Sequence, residues 1–174
     1  MKGNDFMSGI KHFSGFEVVR AAMEVEKNGH RFYSEMALKA SDSTVQQLFT
    51  WLAQDEVEHL RRLNQLAEKY SDGSFSEYEE DFLPYLNRFS DTEIFPSAER
   101  LEAILKTGSA DVQSLDLAIE AEEKFAEYFH QAAAIALTPE GQEAFSWLAG
   151  EEERHALVLR ERRDQLCGQC SGCD

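Results

Sequence analysis

The chain has 174 residues and a formal net charge of −16, with 17 Lys and Arg against 33 Asp and Glu. This length predicts one domain with a sizeable core, and the acidic balance argues against nucleic acid or an anionic membrane as a partner. Three prolines and ten glycines favour long helices over a fold with many turns. The sequence shows no targeting segment and no apolar run of membrane length, so we expect a cytoplasmic protein.

Two long helices are predicted in the first half of the chain. Apolar residues recur with helical periodicity from a capping box that begins at Ser14 to about residue 40. The pattern resumes after a polar turn and continues from about 44 to 70. The following segment, 75–109, contains two of the three prolines and is predicted to be a crossover connection with short helical pieces.

Two further helices are predicted in the second half. The third covers about 110–137, and the fourth covers about 139–166 after an N-cap at Thr138. Four helices, two tight hairpins and one long crossover describe an all-α, ferritin-like four-helix bundle. We therefore divide the chain into a bundle domain, 1–166, and a cysteine-containing tail, 167–174.

The two halves of the chain match each other without gaps at an offset of 96 residues. Seven of the 14 positions in 46–59 are identical to their partners in 142–155. Shared Phe, Trp, Leu and Ala are explained by packing alone. Shared Glu and His are not, because burying them costs free energy unless they find a partner. The polar identities are Glu56 with Glu152 and His59 with His155.

A metal site is predicted from glutamates and histidines at matching depths in the bundle. A Glu-x-x-His pair places a carboxylate and an imidazole on one helix face, one turn apart. The four glutamates each lie 15 residues from a hairpin turn, so all four reach one level of the bundle. One carboxylate from each of two helices and Glu-x-x-His from the other two form a di-iron carboxylate arrangement. The candidate ligands are Glu26, Glu56, His59, Glu122, Glu152 and His155.

Two neighbouring acids are predicted to lie outside this set. Asp55 and Glu151 adjoin the Glu-x-x-His glutamates and point about 100° away from the metal face. The alternative reading of the whole constellation is a set of solvated helix acids with two core histidines. A buried cluster of this kind needs a cation to offset its desolvation, which favours the metal site. Oxygen-rich ligands with open positions suit iron or manganese better than zinc.

The chain resembles the rubrerythrin branch of the ferritin-like di-iron proteins over 16–70 and 111–166. The stretches that carry the resemblance are Ala22-Met-Glu-Val-Glu26, Asp55-Glu56-Val-Glu-His59, Ala118-Ile-Glu-Ala-Glu122 and Glu151-Glu152-Glu-Arg-His155. The resemblance implies two bridging carboxylates and one terminal Glu with one His on each ion. In this chain these are Glu56 and Glu152 as bridges, Glu26 with His59, and Glu122 with His155.

The resemblance implies a non-haem di-iron protein that reacts with hydrogen peroxide or O2. We expect two iron ions, with manganese or zinc as substitutes, an external electron-donor protein, and a homodimer. The alternatives are a ferroxidase or iron-storage protein, an oxygenase acting on an organic substrate, and a structural bundle without metal chemistry. Native mass, metal content and a pocket open to the ions distinguish these classes.

The chain departs from the peroxide-reducing rubrerythrins at one position. Those proteins have a further Glu one turn after the third-helix ligand, where this chain has Phe125 and, in the other half, Gly29. Gly29 leaves room for O2 or peroxide, or allows a close helix crossing. Tyr33 is a candidate catalytic residue that donates a hydrogen bond to a ligand carboxylate. His30 is either a neighbour of the ligands or an exposed side chain.

The three cysteines, Cys167, Cys170 and Cys173, all lie within the last eight residues. Three thiolates are one short of the four-cysteine iron site of the rubredoxin domain that rubrerythrins often append. A redox-active dithiol, a metal shared between chains and a loosely bound metal stay open as interpretations. The absence of cysteines from the bundle agrees with a reducing compartment.

Overall fold

The structure, a computed structural model, describes residues 15–70, 110–136 and 138–169. These residues form four α-helices and confirm the predicted all-α bundle. The helices are α1 (Gly15–Lys39), α2 (Ser43–Tyr70), α3 (Ala110–Ile135) and α4 (Pro139–Gln169). The predicted capping residue Ser14, the predicted crossover 75–109, Cys170 and Cys173 lie outside the described residues.

The helix ends lie within three residues of the predicted ones. The Thr138 hydroxyl accepts a hydrogen bond from Gly141 N at 3.1 Å, as expected of an N-cap. The fourth helix was predicted to end near residue 166, but α4 continues to Gln169. Cys167 therefore lies in the last turn of α4. Local propensity sets helix ends only to within a few residues.

Polar contacts around Asp42 fix the first hairpin against the other. Asp42 Oδ1 accepts hydrogen bonds from Thr44 N and Val45 N at 2.9 and 3.0 Å, so it caps α2. The backbone N–H of Asp42 donates to Asp111 at the start of α3, and Arg162 near the end of α4 donates to Asp42. The start of α3 therefore lies beside the α1–α2 turn, which makes α2 and α3 parallel.

The core repeats the internal symmetry of the sequence. Helix α1 packs along α2 and α3 along α4, and the two hairpins meet through α2 with α4 and α1 with α3. Tyr33 stacks on Phe49 with ring centroids 6.0 Å apart, and Phe129 stacks on Phe145 at 6.4 Å. These pairs occupy equivalent places in the two hairpins. None of the helices that the structure describes is long and apolar enough to cross a membrane.

Candidate metal centre

All six predicted ligands lie in the interior of the bundle, one or two from each helix. Each has at most 1% of its surface exposed. Glutamates are rarely buried to this extent unless they are paired or bind a cation. The structure therefore brings together every residue that the sequence predicted for the site. The buried set is Glu26 on α1, Glu56 and His59 on α2, Glu122 on α3, and Glu152 and His155 on α4.

The first half of the site is built around the imidazole of His59. Its Nδ1 lies 3.2 Å from Glu26 Oε2 and 3.5 Å from Glu56 Oε2. The same nitrogen lies 3.2 Å from Glu152 Oε1, which comes from the other hairpin. One nitrogen atom is thus surrounded by carboxylate oxygens from three helices.

The second half repeats this arrangement around His155. Its Nδ1 lies 3.0 Å from Glu152 Oε2 and 3.4 Å from Glu122 Oε1. The planes of the two imidazoles are inclined by 16°, with ring centroids 5.4 Å apart. The near-parallel rings reflect the pseudo-two-fold relation of α2 and α4.

Two glutamates are common to both halves. In each half, four residues offer one potential ligand atom apiece, and those atoms lie within 4.8 Å of one another. Glu56 and Glu152 belong to both of these groups, and the two histidines also form a third group with Asp55 and Glu151. A carboxylate shared by two such groups is placed to bridge two ions. The groups are Glu26, Glu56, His59 and Glu152, and Glu56, Glu122, Glu152 and His155.

Several carboxylate oxygens of the site have no hydrogen-bond partner among the described residues. They include both oxygens of Glu56, Oε1 of Glu26 and Oε2 of Glu122. A buried unpaired oxygen costs free energy, and for a charged group this cost is high. Four carboxylates carry a total charge of −4 when ionised, which two divalent cations balance. The donor set therefore fits a pair of metal ions.

The family model described as rubrerythrin matches residues 17–162 of this chain. The chain belongs to the rubrerythrin family. No curated protein matches it. It is similar in structure to a hypothetical protein from Pyrococcus furiosus, with 19% sequence identity and a TM-score of 0.66. That match covers 94% of this chain and 96% of the other, and at this identity it shows the fold alone.

Burial and mutual repulsion shift the pKa values of the carboxyl groups in this rubrerythrin-family site. Burial, followed by the negative charges of neighbouring glutamates, raises the pKa of Glu56 well above its usual value. Burial raises the pKa of Glu122 in the same way, with repulsion from Glu152 next in importance. Burial opposes ionisation of Glu152 too, but hydrogen bonds from His155 and His59 outweigh it and lower its pKa.

The two imidazoles hold protons in the metal-free site. Burial alone lowers the pKa of His155, but hydrogen bonds to Glu122 and Glu152 outweigh this effect and raise the pKa to about 11. The pKa of His59 is raised for the same reason, with Glu152 and Glu26 as the main partners. In the metal-free site, the positive charges of two imidazolium groups offset the carboxylates that two metal cations would otherwise neutralise. Binding of metal to Nδ1 requires the loss of these protons.

Tyr33 reaches the site from α1 across the bundle. Its hydroxyl donates a hydrogen bond of 2.5 Å to Glu122 Oε1. The sequence predicted a hydrogen bond to a ligand carboxylate, and the structure places it on the glutamate of α3. Burial and the charge of Glu122 raise the pKa of Tyr33 well above its usual value, so the phenol keeps its proton. The repeat partner Phe129 has no hydroxyl for such a contact.

Asp55 has a role that the sequence did not predict. The sequence placed it off the metal face, whereas the structure places its Oδ2 2.9 Å from His155 Nε2 and groups it with Glu151 and the two histidines as potential metal ligands. Arg154 donates a hydrogen bond of 2.9 Å to the same oxygen and also binds Glu151. The angular positions of residues along α2 cannot predict this contact, because it joins Asp55 on α2 to the outer ring nitrogen of His155 on α4.

The two tryptophans of the repeat also contact the candidate ligands. His59 packs edge-to-face on Trp147, and His155 packs edge-to-face on Trp51, with centroids 5.4 and 5.3 Å apart. Each contact joins α2 to α4. The sequence repeat flagged both tryptophans but attributed them to packing alone. In the structure this packing holds the rings of the candidate metal ligands.

Gly29 lies against the carboxylate of Glu56. A Cβ at position 29 would lie 3.0 Å from Glu56 Cδ and 3.1 Å from its Oε1. The sequence left open room for an oxidant or a close helix crossing, and the structure shows instead a close approach of a ligand side chain. His30 contacts the backbone of α2, since its Nδ1 lies 2.8 Å from the backbone oxygen of Ala53.

Proposed function

We propose that this rubrerythrin-family protein is a non-haem di-iron oxidoreductase that reduces hydrogen peroxide, with O2 as a slower oxidant. The observation that carries the proposal is the pair of overlapping buried ligand groups that share Glu56 and Glu152. These residues would hold two ions, since two-metal sites are built from shared carboxylates of this kind. Manganese and zinc fit the same donors as substitutes.

The reaction needs two electrons and two protons for each peroxide molecule. When bound, a pair of ferrous ions supplies the two electrons that convert hydrogen peroxide to two molecules of water. The chain neutralises the ions with four carboxylates and two neutral imidazoles, so the reduced site carries no net charge. The four carboxylates would offset the positive charge of the ions in both oxidation states.

Tyr33 is the protein group best placed to handle a proton at the site. Its phenol donates to Glu122 Oε1 at 2.5 Å, and the side chain has no exposed surface. In this position the hydroxyl holds Glu122 in one orientation. As the O–O bond of the peroxide breaks, the strongly basic oxygen that is released can take the proton of this phenol despite its raised pKa, which is the role of a general acid, and the phenolate regains a proton from solvent.

The outer grooves support a small oxidant rather than a large organic substrate. Three grooves of about 510, 720 and 890 Å³ lie along the described helices. None of these three is lined by any of the six candidate ligands. An oxygenase needs a pocket that opens onto its ions, whereas peroxide and O2 need only a narrow path.

The remaining parts of the proposal concern partners and location. Steady turnover requires an external electron donor, and we propose a redox protein in this role. We also propose a homodimer that acts in the cytoplasm. The formal charge of −16 supports a donor with a basic docking surface, because opposite charges speed encounter.

Stopped-flow absorbance of the anaerobic ferrous protein tests the choice of oxidant. We expect oxidation by hydrogen peroxide to be faster than oxidation by O2 at equal concentration. Tyr33→Phe at saturating iron should slow the peroxide reaction by roughly 100-fold, the scale of general-acid effects. The matched control is Phe129→Tyr, which alters the equivalent position in the other half. A faster reaction with O2 would indicate ferroxidase or oxygenase chemistry instead.

A further inference from the structure

The outer nitrogens of the two candidate ligand histidines have different surroundings. His155 Nε2 lies 2.9 Å from Asp55 Oδ2. His59 Nε2 is buried and has no hydrogen-bond partner among the described residues. The two imidazoles are otherwise equivalent in burial, stacking and contact with a tryptophan. The internal symmetry of the site is therefore broken at the outer face of the histidines.

Glu151 could make the equivalent contact with His59, but it binds Arg154 instead. Glu151 is the repeat partner of Asp55, and one of its carboxylate oxygens lies within 4.8 Å of a nitrogen of His59. Arg154 binds Glu151 and also donates to Asp55. The hydrogen bond between Glu151 and His59 does not form, whereas the one between Asp55 and His155 does.

A carboxylate on the outer nitrogen prepares a histidine to bind metal. It accepts a hydrogen bond from Nε2–H and fixes the plane of the ring, so the imidazole, once neutral, presents the lone pair of Nδ1 to the carboxylates of the site. Removal of such an outer contact typically weakens metal affinity by 10–100-fold. His155 has this contact and His59 lacks it.

The carboxylate of Glu122, beside His155, is also held by a hydrogen bond, which is a second difference between the two halves of the site. Glu122 accepts the hydrogen bond of Tyr33, whereas the equivalent residue of the other half, Phe129, has no hydroxyl to offer Glu26. Glu26 Oε1 has no partner among the described residues. Both terminal ligands of the second half are thus fixed by neighbours before any ion arrives.

We infer that the two metal positions are unequal, and that the position of Glu122 and His155 fills first and binds more tightly than that of Glu26 and His59. This inference rests on the proposed two-metal site but not on its reaction with peroxide. The first position is prepared for an ion by Asp55 and Tyr33. His59 Nε2 and Glu26 Oε1 have no such partners among the described residues, so the second position is less prepared.

Titration of the metal-free full-length chain with Co2+ tests the inference, since cobalt reports its ligands by visible absorption and its affinity by calorimetry. We expect two binding steps separated by at least about 10-fold in affinity, the lower end of the effect of an outer hydrogen bond. His59→Ala should keep the tighter step and lose the weaker one. His155→Ala should lose the tighter step.

Asp55→Ala and Glu151→Ala form a matched pair, because each removes one carboxylate from Arg154 at equivalent positions of the repeat. We expect Asp55→Ala to weaken the tighter step by 10–100-fold and Glu151→Ala to leave both steps unchanged. Equal affinities in the wild-type chain, or equal effects of the two variants, would overturn the inference while leaving the two-metal site in place. No cobalt binding would overturn the site as well.

Discussion

The α1–α2 and α3–α4 hairpins present the same candidate ligands at the same level, yet they support them differently. Each supplies two glutamates and one histidine, and each stacks an aromatic pair with similar geometry. The supporting contacts differ, since Asp55 holds His155 whereas Glu151 is bound by Arg154. An internal repeat therefore specifies where the ligands lie, while unmatched neighbours specify how firmly each is held.

The largest expected effect separates the two halves directly. His59→Ala and His155→Ala should each lower the iron content of the reconstituted protein by about one ion per chain, because His59 lies in the ligand group of Glu26 and His155 lies in the ligand group of Glu122. Elemental analysis after gel filtration measures this content. If either variant kept both ions at wild-type affinity, the assignment of the histidines would be wrong.

The pH dependence of metal affinity tests a property common to both halves, the protonation of the histidine. Both histidines are protonated in the metal-free site, and the pKa of His155 is raised to about 11. An ion must displace at least one proton in each half, so affinity should rise about tenfold per pH unit between pH 6 and 8. Calorimetry in buffers of different ionisation enthalpy measures the protons released. Affinity independent of pH would contradict these protonation states.

Replacement of one shared carboxyl group should stabilise the metal-free fold. Burial raises the pKa of Glu56 in the folded state above its unfolded value, so its contribution to stability is present below about 4.5 and lost as pH rises. Glu56→Gln should raise the free energy of unfolding by about 1–3 kcal/mol at pH 7.5, with a smaller difference near pH 4. Urea unfolding at both pH values measures this. Equal stability at pH 7.5 would contradict the burial of an unpaired carboxyl group.

Much of the fold and the ligand positions could be predicted from sequence. The periodicity of apolar residues and the caps predicted four helices. The offset of 96 residues predicted that the candidate ligands of the two halves lie at the same depth in the bundle. The contact between Asp55 and His155 could not be predicted, because it depends on the distance between α2 and α4. The approach of Gly29 to Glu56 depends likewise on the spacing of α1 and α2. Contacts between helices can be found only from coordinates, whereas the depth of a residue in the bundle follows from the number of residues between it and the hairpin turn.

The smallest expected effect concerns the cysteines at the end of α4. Cys167 lies 12 residues beyond His155, about 18 Å along a helix. Deletion of residues 167–174 should therefore leave the iron content of both halves unchanged, as elemental analysis would show. Turnover with a protein donor would fall if the thiols relay electrons. Loss of both ions from the shortened chain would show that the cysteines belong to the site.

Iron content with and without the shared carboxylates tests the central claim most directly. The wild-type chain, reconstituted anaerobically with ferrous iron and freed of excess metal, should hold about two ions per chain, as expected of a two-metal site. The double variant Glu56→Ala, Glu152→Ala should hold none while keeping its helical circular dichroism. Two ions retained in the double variant, or none in the wild type, would contradict the assignment of these buried glutamates and histidines as a two-metal centre.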